Sequence, residues 1–103
     1  MDRKRLAPSA CRNMDEVREG VDAVDAAIVG LLAERFRYMD AAARIKPARS
    51  AVRDETRKAR VIDHVRSLAA AEGVPADLAA RLYEDLIEAS IAYEFERFDA
   101  LRA

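Results

Sequence analysis

Val17, Val21, Val24, Ile28, Leu31, Tyr38, Ala42 and Ile45 follow one another in alternating steps of four and three, with Arg35 taking the one remaining step. That rhythm is the apolar stripe of an amphipathic helix. It begins near Met14 and stops at Lys46, because Pro47 disfavours helical geometry in the residue before it. A helix of this length is a rod of roughly 48 Å at about 1.5 Å per residue. A compact domain of the same chain length has a radius of gyration of about 13 Å, hence a diameter of about 34 Å. The rod overshoots the globule that its own chain can build, and its apolar stripe continues to the end. A second copy related by two-fold symmetry is the simplest cover. The expectation is an all-α, three-helix protomer with one long first helix, interlocked as a homodimer.

The remainder of the chain supplies two shorter helices and no strand pattern. A loop, "PARSAVR", precedes a second helix that starts near Asp54 and carries Val61, Val65 and Leu68 on one face. "EGVPAD" then breaks the chain, with Gly73 suited to a left-handed C-terminal cap and Pro75 to a helix start. A third helix is predicted from about Ala76 to Leu101. Residues 1–13 lack periodicity and are expected to form a loose tail before a single helical domain over 14–103.

Charge narrows the function classes. Charged residues make up 36% of the 103, yet the formal net charge is −1. Without a basic excess, neither nucleic acid nor an anionic membrane is an expected partner. The longest uncharged run of the first helix, "AAIVGLLA", is too short to span a bilayer. Basic residues near the start are followed by no apolar segment, so a cytoplasmic protein is expected. Cys11 is alone and there is one histidine, His64, so no disulfide, zinc site or other metal centre is expected.

What remains are charges on apolar faces. Lys46 lies eleven residues after Arg35, three helical turns with only about 20° of drift, so the two cations share a face. Met39 and Ala42 between them leave room for a small molecule. Arg18 lies about 100° round the helix from Arg35 and is better placed to serve a partner copy's site. On the second helix the apolar face continues back through Arg57; on the third, Tyr83, Ile87, Ser90 and Glu94 form a stripe whose last two members are polar. Cations walled by alkyl groups suit a small dicarboxylate. Each residue also has a plainer use. Arg35 can snorkel, Lys46 can complement the helix C-terminus, and Asp54 can cap the second helix.

Four segments together resemble the all-helical chorismate mutases: "VREGVDAVDAAIVGLLAERF", "ARIK", "VRDETRKARV" and "LYEDLIEASIAYE", in that order, over about residues 14–98. The resemblance implies a homodimer of three-helix protomers with two active sites shared across the interface. It implies an isomerase of aromatic amino acid biosynthesis that needs no cofactor. By position it makes Arg18, from the other subunit, Arg35 and Arg57 the binders of the substrate carboxylates. It makes Lys46 the catalytic cation, with Asp54, Ser90 and Glu94 completing the pocket. Two positions depart from the family pattern: Lys58 stands where many members have a Glu that holds the ring hydroxyl, and Glu94 where many have Gln. "CRNMDEVREGVD" and "RYMDAAARIK" are also similar to the related isochorismate-pyruvate lyases, which likewise lack that Glu, whereas "VRD" is mutase-like.

The implied chemistry is the rearrangement of chorismate to prephenate in one pericyclic step. The arginines clamp two carboxylates in a near-attack shape. Lys46 and a protonated Glu94 donate to the ether oxygen as its bond breaks. Lyase activity on isochorismate and a non-catalytic helical dimerisation module are the competing readings.

Overall fold

The computed structural model describes residues 5–103. Among these there are three α-helices and no strand: α1 over Met14–Ile45, α2 over Glu55–Ala71 and α3 over Ala76–Leu101. No helix among them is long and apolar enough to cross a membrane. The chain divides into two compact units, parting after Arg37 inside α1.

In the first unit, α1 starts where its sequence supplies a cap. The Asn13 side chain accepts the Glu16 amide at 2.9 Å, and the Glu16 carboxylate reaches back to the Arg12 amide at 2.9 Å. The first contact satisfies an amide that the first helical turn leaves without an intrahelical partner, and the second ties the residue before the cap to that turn. Of the tail expected to be loose, residues 1–4 lie outside the described residues. Pro8–Ala10 form a 3-10 turn, and Leu6, Pro8 and Cys11 line a shallow apolar cavity with Val17, Gly20, Val21 and Val24. One turn is too short to leave a periodic signal. Along α1, Val17, Val21, Val24, Ile28 and Leu31 are all exposed.

The second unit holds the end of α1 together with α2 and α3. Ala43, Val52, Ile87, Ile91 and Phe98 form its buried core, with Val61, Ile62, Tyr83 and Phe95 packed around them. Val65, Ala69 and Ala79 form a second cluster. Leu68, expected on the buried face of α2, is instead 51% exposed. Ala69 takes the inward position, its small side chain admitting close approach to Ala79. α2 ends as Gly73 predicts: the glycine has φ +75°, and the Val74 and Gly73 amides return to the carbonyls of Ala69 and Ala70. This is the Schellman arrangement, and glycine enters it without a Cβ penalty.

Candidate active site

Three segments of the second unit bring polar groups together in its apolar interior. Lys46 is the first residue after α1, and its amide still donates to the Ala42 carbonyl at 2.9 Å. Its Nζ donates to Glu94 Oε2 at 2.7 Å and to the Val52 carbonyl at 3.3 Å. The Glu94 side chain is 5% exposed and that of Lys46 29%. A carboxylate so deeply withdrawn from water requires a counter-charge, and Lys46 supplies it. An ammonium carries three donors; with two directed at Glu94 and Val52, the third can serve a ligand.

Ser90 lies one turn before Glu94 on α3 and is buried, its hydroxyl donating to the Leu86 carbonyl at 2.6 Å. Helical spacing puts Ile87, Ser90, Ile91 and Glu94 on the inward face of α3. The polar end of the predicted stripe is therefore buried, as Ile87 is, while Tyr83 at its beginning is half-buried.

Four hydrogen bonds hold the end of α1 against α3 and its C-terminal flank. Asp40 accepts the Tyr93 hydroxyl at 2.6 Å and Arg97 Nε at 3.2 Å. The hydrogen bond to Asp40, then burial, push the Tyr93 phenol above its usual range. Arg102 donates to the carbonyls of Ala43 and Lys46.

The other candidate residues divide between the units. Asp54 caps α2, its side chain accepting the Arg57 amide at 2.9 Å, and Arg57 itself is exposed. Arg18 and Arg35 belong to the first unit. Arg18 is exposed and stands 3.7 Å from Asp15, one turn earlier; Arg35 is half-buried.

Lys58 is engaged elsewhere in the second unit. Its ammonium donates to Glu84 at 2.6 Å and Glu88 at 2.9 Å. Arg53 grips the same Glu88 with both terminal nitrogens, at 3.1 and 2.7 Å. Hydrogen bonds from Arg53 and then Lys58 hold the Glu88 carboxyl down at about 2. The residue that departs from the family pattern thus ties α2 to α3. The Val52 carbonyl and Arg102 were not foreseen from sequence, because a backbone acceptor and a cation past the last helix leave no pattern.

Comparison with known proteins assigns the chain to a family. Residues 17–95 match the family model of chorismate mutase type II, and the chain belongs to that family. It is also similar to isochorismate pyruvate lyase of Pseudomonas aeruginosa, at 28% identity over 89 residues, 86% of this chain and 88% of the relative. Lys46, Ser90 and Glu94 all fall inside the matched segment.

Proposed function

We propose that the protein is a chorismate mutase acting as a homodimer, with each pocket completed by the other subunit. The observation that carries this reading is the Lys46–Glu94 pair: a cation at the end of α1 held 2.7 Å from a buried acid of α3, in a chain of the mutase family. In the pericyclic step the ether C–O bond breaks as a C–C bond forms, and negative charge grows on the ether oxygen. Lys46 Nζ donates to that oxygen, and Glu94 donates when it carries its proton. Such donors are each worth about 2–4 kcal/mol of barrier by analogy with oxyanion sites. Arg35, Arg57 and the other subunit's Arg18 clamp the two carboxylates, which holds the reacting carbons in contact. Asp54 and Ser90 complete the polar lining.

The dimer is supported by α1 itself. Its 32 residues make a rod of about 48 Å at 1.5 Å per residue, and the stripe from Val17 to Leu31 is exposed. Apolar surface of that extent is characteristic of an interaction face.

A second reading, lyase action on isochorismate to give salicylate and pyruvate, is favoured by one observation, the 28% identity to the Pseudomonas aeruginosa lyase. That reaction is also pericyclic and uses the same clamp. Incubating the purified protein with chorismate and, separately, with isochorismate distinguishes the readings. Prephenate from the first supports the mutase, salicylate from the second the lyase. Neither product leaves only a non-catalytic dimerisation role.

A further inference from the structure

A helix leaves its last carbonyls without intrahelical donors. At the end of α1 this deficit is sharpened by sequence. The carbonyl of Ala43 would be met by the amide four residues on, at position 47, and that residue is Pro47, which has no N–H. Ala43 is 0% exposed, so solvent does not provide the donor either, and a buried carbonyl left unmet is costly. The donor comes from the far end of the chain. Arg102, immediately past α3, gives Nη1 to the Ala43 carbonyl at 3.0 Å and Nη2 to the Lys46 carbonyl at 2.9 Å. Nη1 also reaches the Phe98 carbonyl at 3.3 Å, and the guanidinium carbon lies 3.6 Å from the centre of the Phe98 ring. The planar fork spans two carbonyls at once, and stacking on Phe98 fixes its plane.

We infer that Arg102 is a positioning residue for Lys46, supplying the donor that Pro47 removes and so fixing the backbone from which the Lys46 ammonium is aimed. Lys46 is then held at three points: its amide by Ala42, its carbonyl by Arg102, and its Nζ by Glu94 and Val52. Arg102 lies beyond the segment matched by the family, which ends at residue 95. A cation at a helix C-terminus is also favoured by the helix dipole, but the bidentate geometry gives Arg102 a function that lysine performs only in part. The inference rests on the proposed role of Lys46.

The test uses the full chain carrying Arg102→Ala or Arg102→Lys, with Arg49→Ala as comparison. Arg49 also joins the 3-10 turn Arg49–Ala51 to α3, through Asp99 at 3.0 Å and the Phe95 ring at 4.4 Å, and among the described residues Lys46 has its hydrogen bonds and ion pair with other groups. Three quantities are measured: kcat and KM with chorismate and isochorismate, melting temperature, and the rate at which acetic anhydride labels Lys46 relative to Lys58. Arg102→Ala should lower kcat by about 10- to 100-fold, because a shift near 1 Å at a catalytic group costs up to about 10²-fold. KM should change less, since the Lys46 contact strengthens as the ether bond breaks. Lys46 should label several-fold faster, and Arg102→Lys should fall between Arg102→Ala and wild type in both. Arg49→Ala should lower the melting temperature without either effect.

Wild-type kcat and labelling in Arg102→Ala would overturn the inference, as would Arg49→Ala reproducing both changes. If wild type turns over neither substrate, the proposed function falls. Labelling then decides the positioning role alone: faster labelling in Arg102→Ala upholds it, unchanged labelling overturns it. Should Arg102→Ala fail to fold, Arg102→Lys decides by the same two readouts.

Discussion

Lys46 Nζ and Glu94 Oε2 stand 2.7 Å apart, joining the end of α1 to the inward face of α3 through a carboxylate that is almost wholly withdrawn from water. The pair serves stability and the proposed chemistry with the same two atoms. Lys46→Met should therefore do two things. It should lower proposed mutase turnover about 10²–10³-fold, the usual loss when one oxyanion-type donor is removed. It should also destabilise the fold by about 3 kcal/mol, since it strands a buried charge. Adding Glu94→Leu should recover most of the stability and none of the turnover. Chemical denaturation and steady-state kinetics on both variants check this; equal stability of wild type and Lys46→Met would show that Lys46 does not supply a counter-charge that Glu94 needs.

Sharing of the site between copies has its own test. Arg18→Ala and Lys46→Ala homodimers should each be nearly inactive, one lacking a clamp and the other the donor. In a mixed dimer both defects fall in one of the two sites and the other is intact. Subunit exchange should restore up to about half the activity per mixed dimer, an outcome that follows from two-fold symmetry. Mixed dimers verified by mass spectrometry with no recovered activity would place Arg18 outside the partner's site.

The charged clip between α2 and α3 predicts acid sensitivity. Arg53 and Lys58 hold the Glu88 carboxyl near 2, below an ordinary value of 4.5. A carboxyl lowered on folding adds stability above its unfolded value, and that contribution is lost as pH falls through the interval from about 4.5 to about 2. Glu88→Gln should lower the melting temperature at neutral pH and flatten its decline through that interval. Because Glu88 is 41% exposed, added salt should shrink the difference. Parallel curves for the two proteins would remove Glu88 from the account.

The same clip bears on Lys58. Read from sequence, Lys58→Glu restores the family's hydroxyl-binding acid and should improve use of chorismate. In the structure a glutamate at this position faces Glu84 and Glu88, whose ammonium partner it has replaced. The substitution should lower the melting temperature, and Lys58→Glu with Glu84→Lys should recover part of the loss. Kinetic gain is to be looked for in that double variant, by chorismate KM.

Much of this was legible in the residues. Pro47 and Gly73 mark helix ends because each alters the backbone locally, so α1 stops within one residue of the expected Lys46 and α2 just before its glycine. Burial of Ser90 and Glu94 followed from helical spacing beyond Ile87, a periodicity that does not depend on tertiary detail. Leu68 misled because hydrophobicity favours it, while close α2–α3 packing selects Ala69, one step round the helix. Asp54 takes the cap, its plainer use. Lys58 and Arg102 were opaque for a different reason: their partners sit 26 to 59 residues away, and only the register of packed helices brings them together.

Glu94 carries the last prediction. Many family members have Gln here, and the two side chains differ in what they can donate. A carboxyl gives a hydrogen bond to the ether oxygen only while it holds its proton; an amide gives one at any pH. Glu94→Gln also keeps an oxygen that accepts from Lys46 Nζ, so the pair's geometry is preserved though its charge attraction is lost. A donor role for Glu94 therefore requires the two proteins to differ in how turnover depends on pH, with Glu94→Gln holding its turnover toward alkaline pH. Glu94→Ala, which removes both donor and acceptor, should be poor throughout, by about 10²-fold or more on the scale of lost oxyanion donors. The measurement is kcat and kcat/KM across pH for the three proteins. Identical profiles for wild type and Glu94→Gln would mean that Glu94 acts only as the acceptor that aims Lys46, and its assignment as a donor would be withdrawn.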